Sequence, residues 1–412
     1  MTHQVESYPQ QTKRTDEYYF RNGLRCVKPY YSEFITHSKK RWLGRELLEI
    51  YTQEFPHYGK EYLTKAIEAG KLTVSDKTVT PNTKIQDNQK IAHKVHRHEP
   101  PVIDQPIKFL HVDKNVYVVE KPSGLPVHPC GRYKKNSITY ILEHEYNLKD
   151  LFPIHRIDVH TSGVLIIARS KEYAQGVGAE MMSRSNSLKK IYFAKVTGEF
   201  KPMGEIVTAR FKISSKDKRA GTWTASQDGT HDSCTFFYGL CYNKEQNTSL
   251  LLCRPITGRT HQIRVHLEAL GYPIANDSLY NSSFVDKRKN QEVTEEEQIE
   301  QPSKRVKRDE SENSEPVEEV SNSEPLFETD SLCNDCVKEK RVHTKEEVLR
   351  DGMIFLHAYN YLHNTEPVWE YKTDIPYWAL EDLSTVSDYL ELVEKSKQML
   401  FDTPSPAIVE KS

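Results

Sequence analysis

No apolar run in this 412-residue chain approaches the roughly 18 residues needed to cross a bilayer as a helix, so a soluble protein with no membrane association is expected. The N-terminus, MTHQVESYPQQTKRTDEYYF, lacks the apolar stretch of a secretory signal. Its Glu6, Asp16 and Glu17 argue against an acid-poor mitochondrial presequence. Cysteine is scarce: the seven present are odd in number and scattered, which fits a reducing compartment better than a disulfide framework. The expected address is cytoplasmic, nuclear or both, with a mitochondrial pool from another start site left open.

What is present is charge, unevenly placed. Residues 291–330 hold 14 Asp/Glu against 4 Lys/Arg, a local −10, so the rest of the chain carries +8 although the whole sums to −2. A basic body suits a polyanionic partner, and an acidic stretch would be held away from it.

The chain divides by pattern. Residues 1–38 read as a Tyr-rich, irregular extension. Within 39–98, Leu43, Leu47, Leu48 and Tyr51 recur at helical spacing, residues 62–69 form a second amphipathic candidate, and Gly70 reads as a stop. Leu72, Val74, Val79 and Ile85 then suit short strands around the turns Asp76-Lys77 and Pro81-Asn82. Two helices followed by a hairpin-rich unit look like a degenerate S4 domain, a small RNA-binding module.

From 99 to 281 strands and helices mix without regular βαβ alternation, which predicts an α+β domain. Residues 165–168, 189–197 and 250–254 read as strands, and 171–182 and RTHQIRVHLEALG as helices. Residues 282–345 are acidic, Ser/Glu-rich and nearly free of aromatics, the composition of a disordered insert. Strand character returns in GMIFLHAYNYLH and VWEYKTDIPYWA, so 346–385 completes the same domain and 386–412 is left as a C-terminal tail. Such an interruption is tolerable because loop-closure cost grows only logarithmically with length.

Two segments carry chemistry. In His155-Arg156-Ile157-Asp158-Val159-His160-Thr161-Ser162-Gly163, an acid lies close to an arginine on a turn into a buried strand. That is either a carboxylate kept ionised by its neighbours or an ordinary structural ion pair. In Arg254-Pro255-Ile256-Thr257-Gly258-Arg259-Thr260-His261-Gln262-Ile263-Arg264, a strand ends, the chain turns and a helix begins near Thr260. Its N-terminus with Arg259 is an anion site in principle. Arg264 lies inside the helix, where Ile263, Val265 and Leu267 leave little purely polar surface, so it could reach an interior carboxylate.

HRIDVHTSG followed far downstream by RPITGRTHQIRVHLEALGYPI resembles the RluA family of pseudouridine synthases. Lys190-Ile191-Tyr192-Phe193-Ala194 and Glu120-Lys121-Pro122-Ser123-Gly124-Leu125-Pro126-Val127-His128 agree with it. The flanks YYFRNGLRCVKPYY, RWLGRELLEIY, HRHEPPVIDQPI and FLHAYNY look like the eukaryotic, fungal-like branch that modifies a uridine of the tRNA anticodon stem-loop, at position 32 or a neighbour. The resemblance implies a mixed, largely antiparallel central sheet with flanking helices, and isomerisation of uridine to pseudouridine without metal, nucleotide or other cofactor. Asp158 would be the nucleophile, Arg264 its partner, and Tyr192 the ring stacked on uracil and an aid to proton removal from C5. Arg156 would fill the gap left by the flipped base, with Arg259, Thr161 and His261 as further RNA-side residues. A structured RNA, tRNA first, would be the partner of a monomer. Ala275-Asn276-Asp277 stands where relatives often have Gly-Asp, and Asp277 is read as structural.

Other readings are weaker. In a kinase loop Asp directly follows His-Arg, whereas Ile157 intervenes here and no glycine-rich phosphate loop or Asp-Phe-Gly occurs. No H-x-E with P-C-x-x-C marks a deaminase. Ribosomal or small nuclear RNA is the alternative substrate, and a catalytically silent tRNA chaperone the alternative class. Cys333-Asn334-Asp335-Cys336 is half of a zinc pattern, with His343 and His357 downstream; without a second pair it reads as free thiols, and no metal is expected. The basic run at 303–308 is a candidate nuclear-import signal.

Overall fold

Two groups of elements, meeting near residues 98–107, make up the computed structural model, which describes residues 7–12, 14–182, 187–217, 221–286, 327–337, 343–366 and 368–406. Most of the expected acidic insert and the basic run at 303–308 lie outside the described residues.

The expectation of an irregular Tyr-rich extension does not hold from Tyr18 onward. Strands β1 (Tyr18–Arg21) and β2 (Leu24–Val27) form a hairpin whose turn residues, Asn22 and Gly23, have φ of 49° and 73°. Asn-Gly is favoured in two-residue hairpin loops because both positions need positive φ. Strand β3 (Tyr30–His37) follows, then helices α1 (Leu47–Glu54) and α2 (Lys60–Glu68), strands β4 (Leu72–Val74) and β5 (Lys77–Thr78), and β6 (Lys90–Arg97). The sheet runs β3-β6-β4-β5, and Trp42, Leu47, Ile50, Leu63, Ile67 and Leu72 are buried in the core shared with the helices. The expected helices are present, though Leu43 is exposed ahead of α1; Val79 and Ile85 lie outside the strands. Strand β7 (Val102–Ile103) pairs with β2.

The second group is an eleven-stranded sheet with helices against it. Its elements are β8 (Lys108–Val112), β9 (Val116–Lys121), α3 (Ile138–Glu145), β10 (Phe152–Pro153), β11 (Ser162–Ala168), α4 (Lys171–Met182), β12 (Leu188–Thr197), β13 (Ile206–Asp217) and β14 (Thr222–Ser226). Then come β15 (His231–Asn243), β16 (Thr248–Pro255), α5 (Gln262–Ala269), β17 (Leu356–His363), β18 (Trp369–Lys372), α8 (Tyr377–Leu383) and α9 (Tyr389–Asp402). Between α5 and β17 the short helix α6 (Asn334–Val337) lies against the end of β6, and α7 (Lys345–Gly352) against β7. The order is β14-β13-β15-β16-β12-β17-β11-β9-β8, with β10 beside β11 and β18 beside β17; the β11–β17 pair is parallel and the other pairs antiparallel. This is the expected α+β, mixed but largely antiparallel sheet. The chain leaves the sheet after β16 and returns as β17 in its middle, so 282–345 interrupts one sheet rather than joining two.

The C-terminal tail reading of 386–412 is corrected: α9 packs Val393, Leu400 and Phe401 into the cluster of Phe236, Leu250 and Leu252. Arg254 at the end of β16 is 2% exposed and donates through Nη1 to the Leu400 and Thr403 carbonyls at 2.5 and 2.6 Å. A guanidinium on the last carbonyls of a helix satisfies acceptors that have no partner within it. PYWA, expected as strand, begins α8. Arg25 and Glu145, both buried and bidentate, tie the N-terminal hairpin to α3.

Two buried histidines set a pH limit on this sheet. His357 Nδ1 lies 2.7 Å from Ser162 Oγ and its Nε2 2.7 Å from Thr373 Oγ1, while His266 Nε2 lies 2.7 Å from Ser233 Oγ. Burial pushes His357 down to about 3 and His266 to about 4, from an ordinary 6.5. Below that ordinary value the unfolded chain takes up protons that the folded one refuses, so stability is present above it and declines as pH falls. Each residue is expected to cost roughly 2 kcal/mol between pH 6.5 and 5. Thermal unfolding followed from pH 7 to 5 should show a falling midpoint; a flat one would mean these rings are protonated in the fold.

Candidate active site

Asp158 sits on the loop before β11, and three successive carbonyls of that loop are hydrogen-bonded. The Asp158 carbonyl accepts from the Thr161 amide at 3.1 Å. The Val159 carbonyl accepts from the Gly124 amide at 2.9 Å and Lys121 Nζ at 3.0 Å. The His160 carbonyl accepts from Ser123 Oγ at 2.5 Å and the Ile354 amide at 3.2 Å. The Lys-Pro-Ser-Gly turn is therefore a buttress for this loop. Lys121 is fully buried and also donates to the Pro122 and Leu125 carbonyls at 2.9 and 2.7 Å. Burial pushes its amine down to about 7, with Asp158 pulling the other way. Its three acceptors match the three N–H groups of an ammonium and favour the charged form against that burial.

Glycine is required at 163. Its φ is +113°, and a Cβ there would run into the Ala358 carbonyl and amide of β17. Only a glycine lets the two parallel strands approach at the point where the Asp158 loop enters the sheet. Ala358 is in turn paired with Tyr192 of β12, giving a row Gly163–Ala358–Tyr192–Cys253 across four strands. Register shifts between Ile191 and Tyr192, the kind of irregularity that re-aims a side chain beside a site. The Tyr192 hydroxyl lies 2.7 Å from that of Tyr361. Burial raises the Tyr192 pKa, Tyr361 lowers it and the Asp158 charge raises it again, so the phenol is neutral.

Arg264 comes from the opposite side, on α5. The turn before that helix is locked by Gln262, whose Oε1 accepts from Thr257 Oγ1 at 2.6 Å and the Arg259 amide at 3.1 Å. Its Nε2 donates to the Cys234 carbonyl and Thr235 Oγ1, both at 2.9 Å. His261 is left-handed at φ 55°, so the helix starts at Gln262 rather than near Thr260. Arg264, 2% exposed, donates through Nε and Nη2 to both oxygens of Asp277 at 2.6 and 2.8 Å, and through Nη1 to Asp158 Oδ2 at 3.5 Å. Burial opposes its charge, but Asp277 and then Asp158 outweigh it and raise its pKa. His261 Nε2 is 3.7 Å from the same Asp158 oxygen, and its Nδ1 is 2.7 Å from Tyr280 Oη. Burial lowers the His261 pKa, against the pull of Asp158.

Asp158, Arg264 and His261 thus meet directly, and the charge of Asp158 reaches Tyr192. Arg156 is exposed beside the loop. Thr161 is 2% exposed, which places it inside the turn rather than on a surface RNA could touch. Arg259 is directed elsewhere, donating through Nε to the Asp232 carbonyl at 3.4 Å. Asp277 is the site carboxylate that sequence reasoning set aside. An interior arginine needs an anion, and the nearby acids were Glu268, one turn along α5 and exposed, and Asp277.

The arrangement places one partly exposed carboxylate, Asp158, against a buried guanidinium that a second carboxylate holds in place. Comparison with known proteins agrees. The model of the RNA pseudouridylate synthase family matches residues 115–269. RNA pseudouridine synthase 7 of Oryza sativa subsp. japonica is 36% identical over 91% of this chain and 95% of its own length. The tRNA pseudouridine(31) synthase of Saccharomyces cerevisiae is 31% identical over 90% and 100%, and the mitochondrial tRNA pseudouridine(32) synthase of that yeast 38% identical over 64% and 56%. The chain belongs to the RNA pseudouridylate synthase family, in its RluA type. It is an isomerase that acts on RNA. Among the described residues no helix is long and apolar enough to cross a membrane.

Replacing Asp277 with Ala would leave the buried Arg264 with a single 3.5 Å contact to Asp158, and breaking a buried pair in this way costs about 3–5 kcal/mol. Denaturant unfolding is expected to show that loss, whereas Glu268→Ala, one turn further on, should cost less than about 0.5 kcal/mol. Equal effects would contradict the pairing.

Proposed function

We propose that the protein converts uridine to pseudouridine in the anticodon stem-loop of tRNA, at position 32 or a neighbour, with Asp158 as nucleophile. The observation that carries the mechanism is the contact of Arg264 with Asp158, on a loop whose carbonyls at 158, 159 and 160 are hydrogen-bonded. The tRNA target is supported by the names of the two yeast relatives, which differ by one position in the nucleotide they specify.

In the reaction the N1–C1′ bond breaks, the uracil turns, and a C5–C1′ bond forms. C5 loses a proton and N1 gains one, so no atoms or electrons are exchanged with a cofactor. Asp158 adds to the ribose or the uracil and later leaves. Arg264, fixed by Asp277, keeps the carboxylate aimed. Tyr192 offers a flat apolar face to the extruded base, and its raised pKa suits stacking rather than action as a phenolate base. Arg156, exposed two residues from Asp158, occupies the gap left by the flipped nucleotide.

The N-terminal module grips the RNA away from the reacting base, as an S4-like unit would. Phe34, Phe55, Tyr58 and Tyr62 line a cavity of about 830 Å³ there together with Lys39 and Arg97. Aromatic faces beside cations suit unpaired bases and phosphates.

Tritium release from tRNA labelled at C5 of uridine tests the reading. Wild type should release tritium and Asp158→Ala should fall to background, at least about 10³-fold lower, while both bind the tRNA. Release from ribosomal or small nuclear RNA but not tRNA would overturn the substrate, and release by the variant would overturn the role of Asp158.

A further inference from the structure

The unexpected feature lies at the far end of the insert. His96 at the end of β6 and His98 two residues on share one side of an extended chain, as alternate residues of a strand do. Facing them is Cys333-Asn334-Asp335-Cys336, reached more than 230 residues later in the chain. Cys336 Sγ is 3.3 Å from His96 Nδ1 and 3.2 Å from His98 Nε2. One ligand atom from each of the four residues lies within 4.8 Å of every other.

We propose that His96, His98, Cys333 and Cys336 form a structural zinc site. A tetrahedral ion with Zn–S about 2.3 Å and Zn–N about 2.0 Å separates its donor atoms by roughly 3.3–3.8 Å, close to what these side chains already adopt. Two thiolates and two imidazoles are a borderline-soft set that selects zinc over magnesium or calcium. On binding, each thiol gives up its proton and the two thiolate charges balance the ion, leaving a neutral centre where Cys333 and His96 are buried.

The backbone is shaped for it. The Cys336 and Val337 amides donate to the Cys333 carbonyl at 3.0 and 3.1 Å, folding the C-x-x-C into a knuckle with both sulfurs on one side. Asp330 anchors the approach: its carbonyl accepts from the Cys333 amide at 2.9 Å and its carboxylate from Lys71 Nζ at 2.5 Å. The histidines that follow in sequence are not the partners. His357 has both ring nitrogens engaged inside the catalytic sheet, and His343 is exposed and outside the cluster. The missing half of the zinc pattern is supplied from upstream.

Such a centre clips residues 327–337 onto the four-stranded sheet, and Phe327 reaches the neighbouring hairpin, 5.0 Å from Tyr19 of β1 between ring centres. Asp335 meets Arg132 of the catalytic domain at 3.2 Å, so the knuckle sits where the module and that domain adjoin. Asp330, Cys333 and Asp335 also line the aromatic cavity of the module. The ion's work is thus to hold the end of a long insertion in place beside a surface placed for RNA, apart from the reacting carboxylate.

Metal analysis of full-length protein purified without chelator or added metal decides the matter. We expect one zinc per chain. After zinc removal, cobalt(II) should give the visible absorption of a tetrahedral thiolate–imidazole site. Cys333→Ser/Cys336→Ser and His96→Ala/His98→Ala should lose both signals, and Cys130→Ser should keep them. Wild type with free thiols that holds less than about a tenth of an equivalent and gives no cobalt band overturns the proposal. So does a Cys333–Cys336 disulfide in protein never exposed to oxidant. These readouts on wild type stand even where a variant fails to fold, and they do not depend on which RNA is modified.

Discussion

Arg264 is a guanidinium shut away from water between two carboxylates, and the rest of the site is arranged around its need for both. Asp277 takes two of its N–H groups in short, parallel bonds and is itself almost fully buried. Asp158 receives only one, at the long end of hydrogen-bond reach, and its side chain keeps 28% of its exposure. The strong pair supplies compensation for burial and the weak one supplies direction. A carboxylate bound as tightly as Asp277 would be a poor nucleophile; the looser hold on Asp158 suits the role proposed for it.

That geometry explains the sheet. The Asp158 loop must enter beside β17, and β12 must present Tyr192 from the other side of the same strand. Gly163 permits the first approach, and the register shift at Tyr192 accompanies the second. Because β17 follows the insert, the candidate site is completed only when the chain returns. Asn276, next to Asp277, reinforces this closure by accepting from the Phe355 amide at 2.8 Å and donating to the Met353 carbonyl at 3.1 Å.

Much of this was legible in the residues. The Asp158 turn, the strand with Tyr192, the helix with Arg264 and the return at 353–363 are local patterns, and the structure forms each near its expected bounds. What escaped is long-range or overlooked. Asp277 looked structural because nothing in its neighbourhood announces a buried arginine 13 residues away. The C-terminal helix was missed because its cap, Arg254, lies far upstream. The N-terminal hairpin did carry a signal, the Asn22-Gly23 turn, lost among the tyrosines around it. The half-pattern Cys333/Cys336 invited a search downstream, whereas spatial neighbours come from a strand laid down long before.

The most direct test of the central claim is the single-turnover rate of Asp277→Asn at saturating RNA, alongside RNA affinity and thermal stability. The variant keeps the shape of Asp277 but removes the charge that fixes Arg264. If Arg264 positions Asp158 for chemistry, the rate falls at least about tenfold while affinity stays within about threefold, as expected for an interaction used only in the transition state. A folded variant with an unchanged rate, or one losing rate only in step with affinity, would contradict the account.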